Sequence, residues 1–398
     1  MIMRETNNGV SDISFLVGLK NNLIYSQKFY LHFRNSFPYE ELVFVSLGSS
    51  DGTDNWLESL DDPHTIFYYH PEPQSLSDTY NKAISLASKN HICFLHNDMV
   101  LGKYFVQELK SALQYAELIY YKTIEPPIFS DDNRAWKEIR NFGSDFDDFQ
   151  YDKFYAFEEE NQQAGLVSAE NASFFLATTK KALANINGLD PLFRPMFCED
   201  DDLILRLRLN SVKPLICPSA LAYHFVSRTS RFSNEYKDIT QRIEENSVRN
   251  FFRKWGFGNH SQYKNKRTYG LILQNASLEA VRLLEPFVSH IYSDFDASVY
   301  VRNEQCNTSI KLAEKFCKLS EVVVDDVILR FDAKNISAKN MEVFRNLNDI
   351  IITKRNKRNS MMKFLTAVPT RFKIRDILFN VRRENLLEKQ LIIRNNSW

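Results

Sequence analysis

Short apolar runs alternate with amphipathic segments over roughly the first hundred residues of the chain. The apolar runs predict buried strands at 13–19, 41–46, 65–69 and 91–95. Between them, apolar residues three and four positions apart predict helices at 23–35, 55–60 and 79–88, the last capped by 75–78. Alternation of strand and helix indicates a mostly parallel, Rossmann-like sheet, so the predicted fold class is α/β.

The pattern breaks between residues 124 and 163, a stretch rich in Asp, Glu, Phe and Tyr. Long irregular segments are usually functional or disordered, and the aromatic content here favours an ordered loop over a site. Alternation resumes with predicted strands at 171–176, 214–217 and 220–225. Predicted helices lie at 179–185, from the acids 199–202 through 209, and at 232–255, with a turn at 187–190.

A second, smaller α/β pattern begins after about residue 266. Its predicted strands are 269–273 and 298–301, its predicted helices are 278–288 and 308–319, and the apolar run 350–352 ends it. From residue 354 onwards there are twelve Lys and Arg against three Asp and Glu, and this basic segment is predicted to be helical in pieces. The predicted domains are therefore 1–265, a small α/β domain at 266–353, and a basic C-terminal segment at 354–398.

Composition excludes some classes of function. The 398 residues are 44% hydrophobic and 25% charged, as in ordinary globular proteins, and are too many for one typical core. A formal net charge of zero argues against a nucleic-acid-binding protein. The basic C-terminal segment suits contact with anionic lipid headgroups or an anionic glycan, although a solvated basic face is the simpler interpretation.

The cysteines and the apolar runs indicate a cytoplasmic protein. The five cysteines form no Cys-x-x-Cys pair, which favours reduced thiols over disulfides or zinc ligands. The polar residues 1–14 contain no signal-peptide core. No run approaches the roughly 20 apolar residues that a membrane span requires.

The predicted strand at 91–95 ends in the polar triplet His96-Asn97-Asp98. In open α/β sheets the carboxyl ends of the strands face the ligand crevice. A carboxylate placed there can hold Mg or Mn against a nucleotide diphosphate, because hard oxygen ligands suit these ions. The alternative is an Asn-Asp turn that simply closes the strand.

A second group of candidate residues consists of four consecutive acids and a later histidine. Glu199, Asp200, Asp201 and Asp202 open a predicted helix, where the helix dipole favours an ionised carboxylate that can act as a general base. The alternative is that Asp201 or Asp202 only caps the helix. His224 follows an apolar run, and its alternative is a buried histidine bonded to the backbone.

Four stretches together resemble one protein family. They are the strand that ends at Gly18, the loop Gly-Ser-Ser-Asp-Gly-Thr at 48–53, the triplet at 96–98, and the acids 199–202 with His224 downstream. Over roughly residues 11–260 the chain resembles the inverting nucleotide-sugar glycosyltransferases of family 2, which have the GT-A fold. The resemblance implies sugar transfer from a nucleotide-diphosphate sugar to a hydroxyl of a glycan or glycolipid acceptor, with Mn or Mg as cofactor.

The resemblance also implies roles for individual residues. The residues implied to lie beside the donor nucleotide are Gly18, Lys20, Ser46, Gly48, Tyr80, Asn81, His96 and Asn97. Asp98 would bind the metal, and His224 would add a further metal ligand. Asp200 would be the catalytic base, with Glu199 and Asp202 as the alternative positions for it.

The chain departs from the family pattern at two places. Ser46-Leu47 stand where the family usually carries two aspartates, one of which commonly binds the base, so recognition of uracil is in question. His96 replaces the first aspartate of the Asp-x-Asp motif, which leaves one carboxylate for the metal.

Two other functions compete with sugar transfer. A sugar nucleotidyltransferase uses a related sheet, but it would want a basic, Gly-rich loop after the first strand, and residues 18–22 contain one Gly and one Lys. A catalytically inactive carbohydrate-binding or scaffold module is the other alternative, suggested by Leu47 and His96. Release of free nucleotide diphosphate from a donor separates these functions.

Overall fold

The computed structural model describes residues 10–128, 134–162, 165–170, 172–226, 236–261, 265–361 and 371–383. The chain divides into two compact units between residues 241 and 242, which we call the first and second units. This division lies before the predicted boundary at 265, because the helix Thr240–Trp255 packs inside the second unit. There the guanidinium of Arg253 donates to Glu285 at 2.8 Å, and the amide of Asn250 donates to the carbonyl of Asn307 at 3.0 Å.

The first unit is built around one sheet. Its strands are β1 (Ile13–Leu19), β2 (Glu41–Leu47), β3 (Thr65–His70), β4 (His91–Leu95), β5 (Met99–Leu101), β6 (Leu118–Glu125), β7 (Lys137–Ile139), β8 (Val167–Ser168), β9 (Leu176–Thr179) and β10 (Pro214–His224). Its helices are α1 (Leu23–Ser36), α2 (Thr53–Glu58), α3 (Leu76–Leu86), α4 (Phe105–Ala112), α5 (Tyr151–Glu160), α6 (Lys180–Asn185) and α7 (Glu199–Leu209).

The sheet has the strand order β3-β2-β1-β4-β9-β6-β10-β5, with β7 beside β6 and β8 beside β10. Strands β1 to β4, β6, β7 and β10 share one direction, whereas β5, β8 and β9 run antiparallel to their neighbours. Central strands such as β1 and β4 are almost wholly buried, as expected for parallel strands covered by helices on both faces. The predicted α/β class with a mostly parallel sheet is confirmed.

Local signals set several of these elements where the sequence predicted them. β4 has the predicted bounds, and α3 begins after Ser75, whose hydroxyl accepts the N–H of Asp78 in a capping box. The stretch 124–163 is partly regular, since it contains β7 and α5. The predicted strands 214–217 and 220–225 are one strand, β10, with an irregular register between Cys217 and Leu221.

The second unit has a smaller sheet of its own. Its helices are α8 (Thr240–Trp255), α9 (Leu278–Leu284), α10 (Ser298–Glu304), α11 (Ala338–Arg345) and α12 (Leu347–Met361). Its strands are β11 (Tyr269–Gln274), β12 (His290–Tyr292), β13 (Phe316–Cys317), β14 (Val327–Asp332), β15 (Arg371–Ile374) and β16 (Ile377–Val381), in the order β13-β12-β11-β14-β16-β15. This bears out the predicted second, smaller α/β sheet.

Two segments before β14 differ from their predictions. Residues 298–301 form α10 and not a strand, because a helix lets Tyr300 reach Glu285, to which its hydroxyl donates at 2.8 Å. Residues 308–319 do not form the predicted helix. The amide of Gln305 donates to the carbonyls of Thr308 and Ile310, which holds this stretch in a turn.

The end of the chain also differs from its prediction. Residues 350–352 lie inside α12, and the basic segment continues as β15 and β16, a hairpin that pairs with β14 where helix was predicted. The rings of Phe372 and Phe379 stack at 4.7 Å across this hairpin. Residues 362–370 and 384–398 of the basic segment lie outside the described residues. Among the helices of the described ranges, none is long and apolar enough to cross a membrane.

Candidate active site

The candidate site lies at the edge of the first sheet where strands of the common direction end. β1 is followed by Lys20, β2 by Gly48 and β4 by His96, and β6 and β10 end in Glu125 and His224. Parallel strands bring their carboxyl ends together, so polar residues far apart in sequence meet along one crevice. The crevice has a volume of about 210 Å³.

His96, Asp98 and His224 form a cluster in which one potential ligand atom of each residue lies within 4.8 Å of the others. Antiparallel pairing of β10 with β5 brings His224 opposite Met99, and the N–H of Phe225 donates to the carbonyl of Asp98 at 2.9 Å. Nε2 of His224 is 3.4 Å from Oδ1 of Asp98. The predicted metal residues Asp98 and His224 are therefore neighbours, and His96 joins them.

The two histidines of the cluster differ in their electrostatic environment. Burial lowers the pKa of His224, but the charge of Asp98 and hydrogen bonds to Asp98 and Glu125 outweigh it and raise the pKa to about 10. Burial lowers the pKa of His96 to about 4, so its ring is neutral at pH 7. The His96 ring packs against Phe174 and Phe175, with centroids 5.4 Å from each.

The predicted donor residues differ in how they meet the crevice. Gly18, Lys20, Leu47, Tyr80 and Asn97 line it. At Gly18 a Cβ would lie 3.0 Å from the Tyr80 ring, so a side chain there would crowd that ring. The Tyr80 hydroxyl donates to the carbonyl of Leu95 at 2.6 Å, which fixes the ring, and Leu47 adds an apolar wall.

Ser46 and Gly48 do not line the crevice; they shape the loop that follows β2. The hydroxyl of Ser46 donates to Asp54 at 2.6 Å, and its oxygen lies 2.9 Å from the hydroxyl oxygen of Ser49. Gly48 has a φ of +78°, and a Cβ there would lie 2.5 Å from Cα of Pro73, so only glycine fits. Lys20 donates to the Gly48 carbonyl at 2.6 Å and thereby joins the loops after β1 and β2.

Two predicted donor residues direct their amides away from the crevice. Asn81 donates to the carbonyl of Leu189 and accepts its N–H, both at 2.8 Å, so its amide holds the turn after α6. Asn81 is not among the residues that line the crevice. Asn97 borders the crevice, but its amide donates to the hydroxyl of Ser26 at 2.9 Å on α1.

The acids at the start of α7 have distinct surroundings. Glu199 lines the crevice, and its Oε2 is buried without a hydrogen-bond partner among the described residues. Burial and the neighbouring charge of Asp200 raise the pKa of Glu199 well above its ordinary value. Asp200 is half-buried and accepts the N–H of Asp201 at 2.8 Å, and burial and the charge of Asp201 raise its pKa to about 7.

The side chain of Asp202 is buried in the protein interior. Its carboxylate accepts from Nε of Arg206 at 2.7 Å, and both side chains are fully buried. Arg206 also donates to the carbonyls of Ile186 and Gly188. Asp202 is not among the residues that line the crevice, and the ion pair gives it a structural partner, which counts against the catalytic role considered for it.

Strained backbone precedes these acids. Phe197 and Cys198 have φ values of +76° and +66°, in the left-handed region that residues with a Cβ rarely adopt. Such conformations cost about 1–3 kcal/mol each and cluster at functional sites. They set the direction in which Glu199 and Asp200 enter α7.

Glu125 is the polar residue of this edge that the sequence reasoning missed. It is 3% exposed, and its Oε1 lies 3.0 Å from Nδ1 of His224, while its other oxygen pairs with Lys137. Burial raises the pKa of Glu125, but the hydrogen bond and charge of His224 lower it by more, so the pKa lies below its ordinary value. The sequence could have indicated Glu125, because this charged residue ends the apolar run of β6, just as the polar residue His96 follows the apolar run of β4.

Fold and site together define an α/β protein with a crevice at the carboxyl ends of its strands and a cluster of possible metal ligands beside it. Residues 27–184 match the model of the family described as glycosyl transferase family 2, which includes β4 and Asp98 but ends before Glu199 and His224. This matched region, which is less than half of the chain, is similar to glycosyl transferase family 2 and indicates a glycosyltransferase.

Solved structures that are similar to the chain include three with low sequence identity. The mannosyltransferase PcManGT from Pyrobaculum calidifontis, in complex with GDP-Man and Mn2+, has a TM-score of 0.39 and 13% identity, over 56% of this chain and 59% of that one. TarS 1-349 of S. aureus has a TM-score of 0.38 and 12% identity, over 60% and 71%. GalNAc-T7 with UDP, GalNAc and Mn2+ has a TM-score of 0.40 and 8% identity, over 54% and 43%.

The match therefore spans less than two thirds of the mannosyltransferase and less than half of GalNAc-T7. No curated protein matches the chain in sequence.

Proposed function

We propose that the first unit is a metal-dependent glycosyltransferase that moves a sugar from a nucleotide-diphosphate donor to a hydroxyl of a glycan or glycolipid, with inversion. The observation that carries the proposal is one crevice bordered by possible metal ligands at one side and an acidic helix start at another. Asp98 and His224 belong to the first group. Glu199 lines the crevice at the second, and Asp200 follows it in α7 without being among the lining residues. The match of residues 27–184 to the family model supports the same reaction.

The crevice suits a nucleotide. Gly18 lines the crevice and leaves space for the Tyr80 ring beside it, and the buried Leu47 offers an apolar surface to a base. Lys20 brings a positive charge to the loop where the phosphates of a donor would lie. Ser46, Gly48 and Asn81 support this site indirectly, because their contacts hold the loop after β2 and the turn after α6.

The cluster of His96, Asp98 and His224 fits a divalent cation. It offers one carboxylate oxygen and two imidazole nitrogens within 4.8 Å of one another. Because imidazole is a softer ligand than carboxylate, this donor set should favour Mn over Mg. A cation held there would neutralise the charge that develops on the diphosphate leaving group.

Asp200 is the proposed general base. A base works best when its pKa lies near the operating pH, and the pKa of Asp200 is raised to about 7. Burial and the charge of Asp200 raise the pKa of Glu199 well above its ordinary value, which favours its protonated form and suits hydrogen-bond donation better than proton removal. In transfer with inversion, the base takes the proton of the acceptor hydroxyl as that oxygen attacks the sugar.

Donor turnover tests the proposal. The protein is incubated with UDP-, GDP- and dTDP-sugars plus Mn, release of free nucleotide diphosphate is measured, and nucleotide binding is followed by calorimetry. Asp98→Ala should abolish Mn-dependent nucleotide binding, because it removes the sole carboxylate of the cluster. Asp200→Asn should keep nucleotide binding and lower turnover by roughly 10²–10⁴-fold.

Asp152→Asn, which changes an exposed acid on α5, is the matched control and should alter neither property. Binding of a donor without any release of nucleotide diphosphate would instead indicate a carbohydrate-binding module. Collapse of nucleotide affinity in Asp200→Asn would make Asp200 a donor ligand and not a base. The cytoplasmic location and the contact of the basic segment with membranes remain predictions.

A further inference from the structure

Glu125 lies behind the candidate metal cluster, and neither the sequence motifs nor the reaction assigned it a role. We propose that Glu125 is a positioning residue: it holds Nδ1 of His224 so that Nε2 is presented to the cation beside Asp98. This inference rests on the proposed metal-dependent function. It concerns an additional residue of that site, which would act on the cation only through His224.

The geometry places the two carboxylates at different nitrogens of one ring. Oε1 of Glu125 is 3.0 Å from Nδ1 of His224, and Oδ1 of Asp98 is 3.4 Å from Nε2. A cation binds Nε2 of His224 only as the proton on that nitrogen is released; Nδ1 of the resulting neutral imidazole then donates to the carboxylate, and the lone pair of the ring is on Nε2. The contact with Glu125 therefore selects the tautomer that can bind a cation and fixes the direction of the ring.

Lys137 makes this arrangement possible for a buried carboxylate. A buried charge is costly unless it is paired, and the ammonium of Lys137 pairs with Oε2 of Glu125, with both side chains about 95% buried. Lys137 begins β7, which pairs in parallel with the end of β6. The stretch 124–163 thus contributes the counter-charge of Glu125. Because this pair is neutral, Asp98 supplies the negative charge that faces the cation.

A purely structural role for Glu125, joining β7 to β6, is the competing explanation. It predicts a loss of stability in a Glu125 variant without a specific loss of metal affinity. The positioning role predicts a loss of metal affinity that requires His224. The two explanations therefore differ in a binding measurement that does not depend on turnover.

The experiment measures Mn2+ binding by the whole protein at saturating UDP or GDP, whichever binds, from the electron paramagnetic resonance signal of free Mn2+. Glu125→Gln keeps the size of the side chain and removes its charge. It should weaken Mn2+ binding by about 10–100-fold, as loss of a partner behind a metal ligand typically does. Nucleotide binding without Mn2+ should stay unchanged, and thermal melting shows whether the variant is folded.

Glu158→Gln is the matched control. Glu158 is also buried in the first unit, but it accepts the N–H groups of Lys103 and Tyr104 and does not line the crevice. Its substitution should leave Mn2+ affinity unchanged. If Glu125→Gln does not fold, Glu125→Asp replaces it, because aspartate keeps the charge for Lys137 but is too short to keep the contact with Nδ1.

A double substitution tests whether Glu125 acts through His224. In a His224→Ala background, Glu125→Gln should cause no further loss of Mn2+ affinity. Wild-type Mn2+ affinity in Glu125→Gln, or a further loss in the His224→Ala background, would overturn the positioning role while leaving the metal site intact. If the wild-type protein binds no Mn2+ with nucleotide diphosphate present, the proposed metal site fails and the role of Glu125 fails with it.

Discussion

Replacement of Asp202 separates a structural role from a catalytic role for this acid. Asp202 and Arg206 form a fully buried ion pair at 2.7 Å on α7. Asp202→Ala would leave the guanidinium buried without its charge partner. Removing one member of a buried pair typically costs 3–5 kcal/mol, and Arg206 keeps its bonds to two carbonyls, so we expect about 3 kcal/mol.

The assay is thermal unfolding, with turnover measured well below the transition. For a domain the size of the first unit, a loss of about 3 kcal/mol lowers Tm by roughly 6–12 °C. Turnover by the folded variant should stay within about tenfold of wild type, because Asp202 does not touch the crevice. The double variant Asp202→Ala/Arg206→Met should regain much of the lost stability, since it no longer buries an unpaired charge.

The opposite pattern would refute this reasoning. If Asp202→Ala melted within about 2 °C of wild type while turnover fell by orders of magnitude, the ion pair would be unimportant for folding and Asp202 would act in the reaction. Failure of the double variant to recover stability would show that the aspartate contributes more than the neutralisation of Arg206.

Two further predictions concern stability against pH and donor choice. Burial lowers the pKa of His32 from 6.5 to about 4, and its neutral ring accepts the N–H of Leu101 at 2.9 Å. The contribution of neutral His32 to the free energy of unfolding is therefore full above pH 6.5 and is lost as pH falls towards 4, by about 2 kcal/mol between pH 7 and pH 5. His32→Gln should flatten the dependence of the free energy of unfolding on pH in this range, measured by urea unfolding. Leu47 offers a base no hydrogen bond, so UDP, GDP and dTDP should bind within about tenfold of one another in calorimetry, and exclusive binding of UDP would contradict this.

Local patterns in the sequence were sufficient for much of the first sheet. An apolar run of strand length between turn residues predicts β4 wherever it lies in the fold, and Ser75 and Asp78 cap α3 through neighbours in the chain. The chemistry at strand ends was predictable for the same reason. Asp98 follows a buried strand, and parallel sheets direct such positions to one edge.

Two segments of the second unit were predicted wrongly from the sequence. The sequence at 298–301 has the β-branched residues of a strand, yet Tyr300 reaches Glu285 only from a helix. At this position contacts distant in sequence outweigh local propensity. Residues 371–381 do alternate polar and apolar positions as strands do, but the basic composition of the segment drew attention away from this pattern, and pairing with β14 supplies their backbone with hydrogen bonds.

The same distinction holds in the candidate site. The sequence by itself determined which residues have reactive or metal-binding side chains and which strands they follow, because both depend only on residue type and on neighbours in the chain. Only the tertiary structure decided how they are partnered: Asn81 holds Leu189, Asp202 neutralises Arg206, and Glu125 lies against His224, 99 positions away in the chain. Charge and hydrogen bonding act over a few ångströms of space, and the distance between two residues in sequence does not fix that separation.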